Sequence, residues 1–233
     1  MRFLLLVTML FQNVPLHAMA SKVTLSKAID QVIQRYGLPS EPQLKSFFSK
    51  ARVSYPPQKV TLLAFKKEKN IQLWAKDSNK SWRFIHTYPL TAFSGRLGPK
   101  LKENDLQIPE GIYSLAAFNP KSAHHLSIMV DYPNSFDRLK AIMDGRKKLG
   151  NNIFLHGKAS SVGCLAVGDK AIDQLFMLGR RVGLENIQLI IAPNDLRLAK
   201  AATSSFAQPR WISELYHDIS IALRQFPVRK KLA

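Results

Sequence analysis

The stretch FLHGKASSVGCLAVGD, residues 154–169, holds the single cysteine of a 233-residue chain, with a histidine eight positions before it. A thiol attacks as its thiolate, and a neighbouring imidazole can take the proton, so Cys164 and His156 form a candidate nucleophile and general base. Gly163 permits backbone angles that aim amide N–H groups inward. The amides of Gly163 and Cys164 are therefore candidate donors to the oxyanion of a tetrahedral intermediate. Gly157 allows a sharp turn beside the imidazole. One cysteine and one histidine lack the further ligands that zinc requires, so neither a metal nor a cofactor is expected. No G-x-S-x-G elbow surrounds Ser160 or Ser161, and a serine mechanism would leave the cysteine unexplained.

Several elements must position this stretch. In TLSKAIDQVIQRYG, apolar Leu25, Ala28, Ile29, Val32, Ile33 and Tyr36 recur at helical spacing and Gly37 supplies a stop; a second helix follows with Ser40 as cap. From residue 58 the period changes to two. KVTLLAF, IQLWAKD and SWRFIHTY read as an antiparallel meander. Residues 94–110 form a long Gly-, Pro- and Lys-rich loop, whose Arg96 and Lys100 are placed to cover the site. GIYSLAAF and HLSIMVDY add two strands, Asn134 caps a short helix ended by Asp144-Gly145, and NIFLH is a strand that delivers His156. Asp169 caps the helix KAIDQLFMLGRR, NIQLIIA is a last strand, and PRWISELYHDISIALRQF is a C-terminal amphipathic helix. Without regular βαβ alternation, the expected class is α+β, a mostly antiparallel or mixed β-sheet with flanking helices and an N-terminal helical appendage.

The chain carries 34 Lys and Arg against 16 Asp and Glu, a net charge of +18. Such a field attracts polyanions. The basic residues are scattered singly and in pairs, however, and no zinc spacing, RNP motif or basic recognition helix is present, so nucleic acid is not the expected partner. Residues 1–20 have a charged Arg2, an apolar run from Phe3 to Phe11 and the small-x-small pattern Ala18-Met19-Ala20, the layout of an export signal. The run is shorter than the roughly 20 residues of a membrane-spanning helix, so no transmembrane anchor is expected after signal cleavage. An exported, periplasmic or cell-envelope location follows, and there a lone cysteine is either buried or kept free for its chemistry. The expected organisation is a signal peptide over 1–20, the helical appendage over 21–55, a catalytic domain over 56–195, and the C-terminal helix with a basic tail over 196–233.

HGKASSVGC resembles the H-G…S-x-G-C signature of the YkuD-type L,D-transpeptidases, bacterial cell-wall enzymes with a cysteine nucleophile. SGRLGPKLKENDLQIPEGIYSL, FNPKSAHHLSIMVDYPNSFDR and IFLHGKASSVGCLAVGDKAIDQLF are similar to successive blocks of the YafK-like branch, and together these span roughly residues 58–192. The resemblance implies an L,D-transpeptidase catalytic domain-like fold. It implies that Cys164 attacks the carbonyl of the third residue of a peptidoglycan tetrapeptide stem, expelling D-Ala, with His156 as base and the Gly163 and Cys164 amides on the oxyanion. A second stem's amine then resolves the thioester. Val162 and Ala166 stand where many members carry His, and Arg or Asn, features the YafK-like branch shares. That branch also includes enzymes that hydrolyse, releasing a lipoprotein from the wall. The acyl acceptor thus stays open between an amine and water, and the partners between peptidoglycan stem peptides and a wall-linked lipoprotein. A non-catalytic wall-binding protein is the third reading, against which the intact His-Gly and Gly-Cys pairs argue. Around the motif, Ser161 is a turn residue able to orient the imidazole and Lys158 a candidate for a stem carboxylate. His125, alternating with Ser127 and Met129, is a candidate pocket-lining side chain.

Overall fold

The computed structural model describes residues 16–78, 80–203 and 207–228. The export signal expected over residues 1–20 lies outside them up to residue 15, and residues 16–20 begin a helix; the end of the basic tail, residues 229–233, also lies outside. Helix α1 (Leu16–Val32) passes through a π-helical turn over Ile33–Gly37 directly into α2 (Leu38–Ala51). The stop expected at Gly37 is therefore absent. A side chain there would meet Met177 Sδ at 3.0 Å, so the glycine serves close packing rather than termination. Ser40 is likewise no cap: it sits inside α2, where its hydroxyl donates back to the Gly37 carbonyl at 2.8 Å.

The strands are β1 (Lys59–Phe65), β2 (Asn70–Lys76), β3 (Arg83–Pro89), β4 (Gly111–Asn119) and β5 (Ser127–Val130), then β6 (Phe154–His156), β7 (Leu165–Ala166) and β8 (Ile187–Ala192). Helix α3 (Ser135–Met143) precedes β6, α4 (Asp169–Val182) precedes β8, and α5 (Ile212–Leu223) follows it. Asn134 caps α3 in a reciprocal capping box with Asp137, as its position before the helix predicts. The N-cap of α4 is Gly168 rather than Asp169, whose carboxylate instead accepts the Lys158 amide at 2.7 Å.

The strand order is β3-β2-β1-β8-β4-β5-β6-β7. β1–β2–β3 is the expected meander, while β1 pairs in parallel with β8 and β6 in parallel with β7. The sheet is therefore mixed, with helices on both faces, and the class is α+β. The chain leaving β3 at one edge reaches β7 at the other within three residues, through an Ala92–Ala166 bridge and a Thr91 N–H bond to the Ala166 carbonyl at 2.9 Å. That crossing brings the segment after β3 against the cysteine turn.

The near-continuous apolar runs of β1 and β8 follow from burial on both faces. Leu62, Ala64, Leu189 and Ile191 pack with Leu44, Phe48, Ile172 and Phe176 of α2 and α4. Leu63, Phe65, Ile190 and Ala192 pack with Leu215, Ile219 and Leu223 of α5 and with Trp74 and Trp211. The segment set apart by its sequence as an appendage thus contributes to the larger core.

Lys66, at the end of β1, is 1% exposed. Its ammonium donates to the carbonyls of Gly98 and Ile108, each at 2.8 Å, and lies 3.0 Å from Glu110. Glu110 in turn accepts the Gly98 amide at 2.8 Å and the Tyr216 hydroxyl at 2.9 Å. Removing one member of such a pair leaves the other charge buried and uncompensated. Lys66→Met is expected to lower the unfolding free energy by roughly 3–5 kcal/mol, read as a lower midpoint in urea denaturation. An unchanged midpoint would show that the pair contributes nothing net.

Candidate active site

Parallel pairing of β6 with β7 sets Leu155 against Leu165 and His156 against Ala166. Paired residues in register point to the same face of a sheet, and every second residue shares that face. His156 and Ala166 therefore share a face, and Cys164 sits in the bend one residue before β7, its sulfur against the Asn152–Phe154 backbone one strand away. The motif's spacing works because β6 ends at the histidine and residues 157–163 return the chain to run alongside it.

His156 is 2% exposed. Its Nδ1 lies 2.6 Å from the Gly157 carbonyl, which can only accept, so Nδ1 carries the proton and Nε2 keeps its lone pair in the neutral ring. Burial lowers the imidazole's pKa below its ordinary value, the Gly157 bond opposes the shift, and His124 lowers it further. The His124 ring, exposed to solvent, sits 4.6 Å from that of His156.

The Cys164 thiol is partly exposed and unpaired in any disulfide. Its sulfur accepts the Phe154 N–H at 3.4 Å and donates toward the Asn152 carbonyl at 3.7 Å. Among the described residues it makes no hydrogen bond to His156, so proton transfer requires the thiol to rotate from Asn152 toward the imidazole. Catalytic hydrogen bonds commonly tighten only once substrate is bound. Burial raises the thiol's pKa, with the Phe154 amide and the Lys100 charge acting against it. The resting pair is thus a neutral thiol beside a neutral imidazole.

Gly163 has φ of +99°, and a Cβ there would lie 3.0 Å from the Gln107 carbonyl, so no other residue fits without strain. The two expected oxyanion donors differ. The Gly163 N–H is already committed to Ser94 Oγ at 2.7 Å, whereas the Cys164 N–H has no hydrogen-bond partner among the described residues. An oxyanion would find its open donor at Cys164. Ser161 does not orient the imidazole: its hydroxyl donates to the Cys164 carbonyl at 2.8 Å and contacts Ser94 Oγ at 2.9 Å.

Three further expectations meet a different geometry. Gly157 is required by space more than by turning, since a Cβ would meet Asp169 Oδ1 at 2.6 Å and the His124 carbonyl at 2.8 Å. The left-handed residue is Lys158, with φ of +55°. Its ammonium donates to the Ala123 carbonyl at 2.7 Å and its carbonyl accepts the Thr91 hydroxyl at 2.6 Å, so it braces the turn. His125 lies before β5 with φ of +71°, which breaks the alternation expected of it. It bonds Asp173 at 2.7 Å and meets the Tyr36 ring edge-on, tying α4 to the π turn. His124, one position earlier, is the histidine that faces the site. The adjacent pair His124-His125 was its sole sequence signal; Ser94, 70 positions before Cys164, had none. In the long loop, Lys100 is buried and pairs with Asp105 at 2.6 Å, so it anchors the loop from within.

No family model matches the chain. A curated relative is YafK of Escherichia coli K12, whose name places it provisionally among the L,D-transpeptidases. It is 30% identical over 155 residues, covering 63% of this chain and 60% of its own length. The chain thus spans about three fifths of the relative it matches. This similarity shows the resemblance to the YafK-like branch read from the motifs. Among solved structures, the helical cell shape determining protein Pgp2 of Campylobacter jejuni is 20% identical, with a TM-score of 0.49, over 71% of this chain and 57% of that one. Bd1075 of Bdellovibrio bacteriovorus is 21% identical, with a TM-score of 0.43, over 74% and 57%.

The raised thiol pKa has a direct readout. Alkylation of Cys164 by iodoacetamide is expected to follow a pH profile whose midpoint lies above 9.0, the ordinary thiol value. A midpoint near or below neutrality would mean that a thiolate–imidazolium pair exists at rest.

Proposed function

We propose that the protein is an exported peptidoglycan-modifying cysteine L,D-transpeptidase, acting in the periplasm on tetrapeptide stems. The observation that carries this reading is the β6–turn–β7 unit, which ends one strand at His156 and sets Cys164 just ahead of the next, with the Gly157 carbonyl holding the tautomer that leaves Nε2 free to accept a proton. The similarity to YafK supports the substrate class.

In the proposed reaction Cys164 Sγ attacks the carbonyl carbon of the third stem residue while the thiol proton passes to His156 Nε2. The Cys164 amide takes the developing oxyanion. When the tetrahedral intermediate collapses, the C–N bond to D-Ala breaks and the imidazolium proton leaves with the amine. The amine of a second stem then attacks the thioester, the C–S bond breaks, and His156 receives the amine's proton and returns one to the thiolate. General-base rather than ion-pair activation follows from burial acting on both members: it disfavours charge on the imidazole and on the sulfur alike. Residues 1–20 are proposed to direct export, and the segment over 56–195 to be the catalytic domain. Among the described residues no helix is long and apolar enough to cross a membrane.

Incubation of the protein and of a Cys164→Ala variant with tetrapeptide muropeptides, followed by mass spectrometry, tests this reading. The expected products are cross-linked dimers lacking one D-Ala, formed by the parent protein alone. Free tripeptides would make water the acceptor and the protein a hydrolase. Unchanged muropeptides with the parent protein would overturn both. Because kcat/KM reports the ionisation of free enzyme, its acid limb is expected below pH 6.5, the ordinary histidine value, since the His156 pKa is lowered. A limb above that value would contradict a neutral base.

A further inference from the structure

The antiparallel Ala92–Ala166 bridge sets the register of the segment after β3 against the cysteine turn. Counting from it, residue 94 falls opposite residue 164. At that point Ser94 Oγ accepts the Gly163 N–H at 2.7 Å and lies 2.9 Å from Ser161 Oγ. The one Ser161 hydroxyl proton goes to the Cys164 carbonyl, so the proton between the two serines comes from Ser94. The chain of bonds therefore has one direction: Gly163 N–H to Ser94, Ser94 O–H to Ser161, Ser161 O–H to the Cys164 carbonyl.

These bonds hold the peptide groups on either side of the one that carries the Cys164 N–H. The preceding group is held through its N–H and the following one through its carbonyl. The bracketed group is left with its N–H unpartnered, on a glycine held at φ of +99° against the Gln107 carbonyl. An oxyanion donor stabilises a transition state only when its direction is fixed beforehand. From this arrangement we infer that Ser94 is a positioning residue, whose hydroxyl fixes the orientation of the Cys164 amide as an oxyanion donor without itself touching substrate. The inference rests on Cys164 being the nucleophile.

A test separates acyl transfer from thiol access by using two reagents that both attack Cys164. With p-nitrophenyl acetate the S–C bond forms through a tetrahedral oxyanion. The ester C–O bond then breaks, p-nitrophenolate leaves with the bonding pair, and His156 takes the thiol proton. Iodoacetamide alkylates the same sulfur by displacement of iodide, with no oxyanion. Loss of a donor typically lowers rates about 100- to 1000-fold, and misdirecting one is expected to cost about tenfold or more. Ser94→Ala should slow the p-nitrophenolate burst by that factor and leave the iodoacetamide rate within about twofold of the parent, while Ser94→Thr recovers the burst. Ser161→Ala, which breaks the same chain at its next link, should act in the same direction and stands in if Ser94→Ala does not fold. An equal fall with both reagents, or no fall with either, would overturn the inference. A burst that survives in Cys164→Ala would remove its premise. Because the ester is not a wall peptide, the result stands even if tetrapeptide stems are not processed.

Discussion

A buried ammonium–carboxylate contact holds together the parts between which the site lies. Lys66 directly follows β1, Glu110 directly precedes β4, Gly98 belongs to the loop between β3 and β4 and Tyr216 to the C-terminal helix. Taking the two charges out of water is costly, and their attraction offsets the cost only when the remaining donors and acceptors are satisfied. Here the ammonium meets two carbonyls and a carboxylate, and the carboxylate meets an amide and a hydroxyl besides. Residues 98 and 108–110 are thereby pinned to β1. The backbone of Gln107 then has a fixed place from which to press on Gly163, and its side chain accepts the Arg96 amide at 2.6 Å. The geometry of the cysteine turn is set from outside as much as by its own sequence.

The same burial that fixes the turn decides the protonation of its reactive groups. His156 is enclosed by β5, β7 and His124, and Cys164 by the 152–154 segment. Among the described residues no carboxylate is hydrogen-bonded to either, and burial outweighs the Gly157, Phe154 and Lys100 contributions that favour charge. The Nδ1 bond to Gly157 acts on orientation, aligning the ring and leaving one nitrogen basic. A pair held neutral and oriented is suited to concerted proton removal, and it is less exposed to adventitious oxidation than a standing thiolate.

The reacting pair was legible in the sequence because both members lie within one supersecondary unit, where strand, turn and strand follow each other along the chain. The apolar runs of β1 and β8 marked them as doubly buried strands, but nothing in either run specified that they would pair with each other in parallel across more than a hundred residues. Gly37 illustrates another limit. Read locally, a glycine after a helical pattern signals an end, yet here the proximity of Met177 on α4 determined it. His125 was singled out from an alternation that assumed a strand beginning two residues too early, and the left-handed residue at that point turned the adjacent His124 to the site instead. Ser94 was beyond reach because its role depends on the sheet curling until its two edges meet.

That curl constrains how the chain can vary in length. Within three residues the backbone passes from Pro89 on one edge of the sheet to Ala92, bridged to the other. One residue added or removed there would shift the register against β7 and rotate the Ser94 hydroxyl to the opposite face. Between Pro99 and Leu106 the backbone is tied to itself through Asp105, which accepts the Leu101 and Lys102 amides, and outward through the Glu103 amide to Lys148 and the Leu101 carbonyl to Arg146. Length changes accumulated in descent or introduced by design are therefore excluded first from the short crossing, whose register sets the Ser94 hydroxyl.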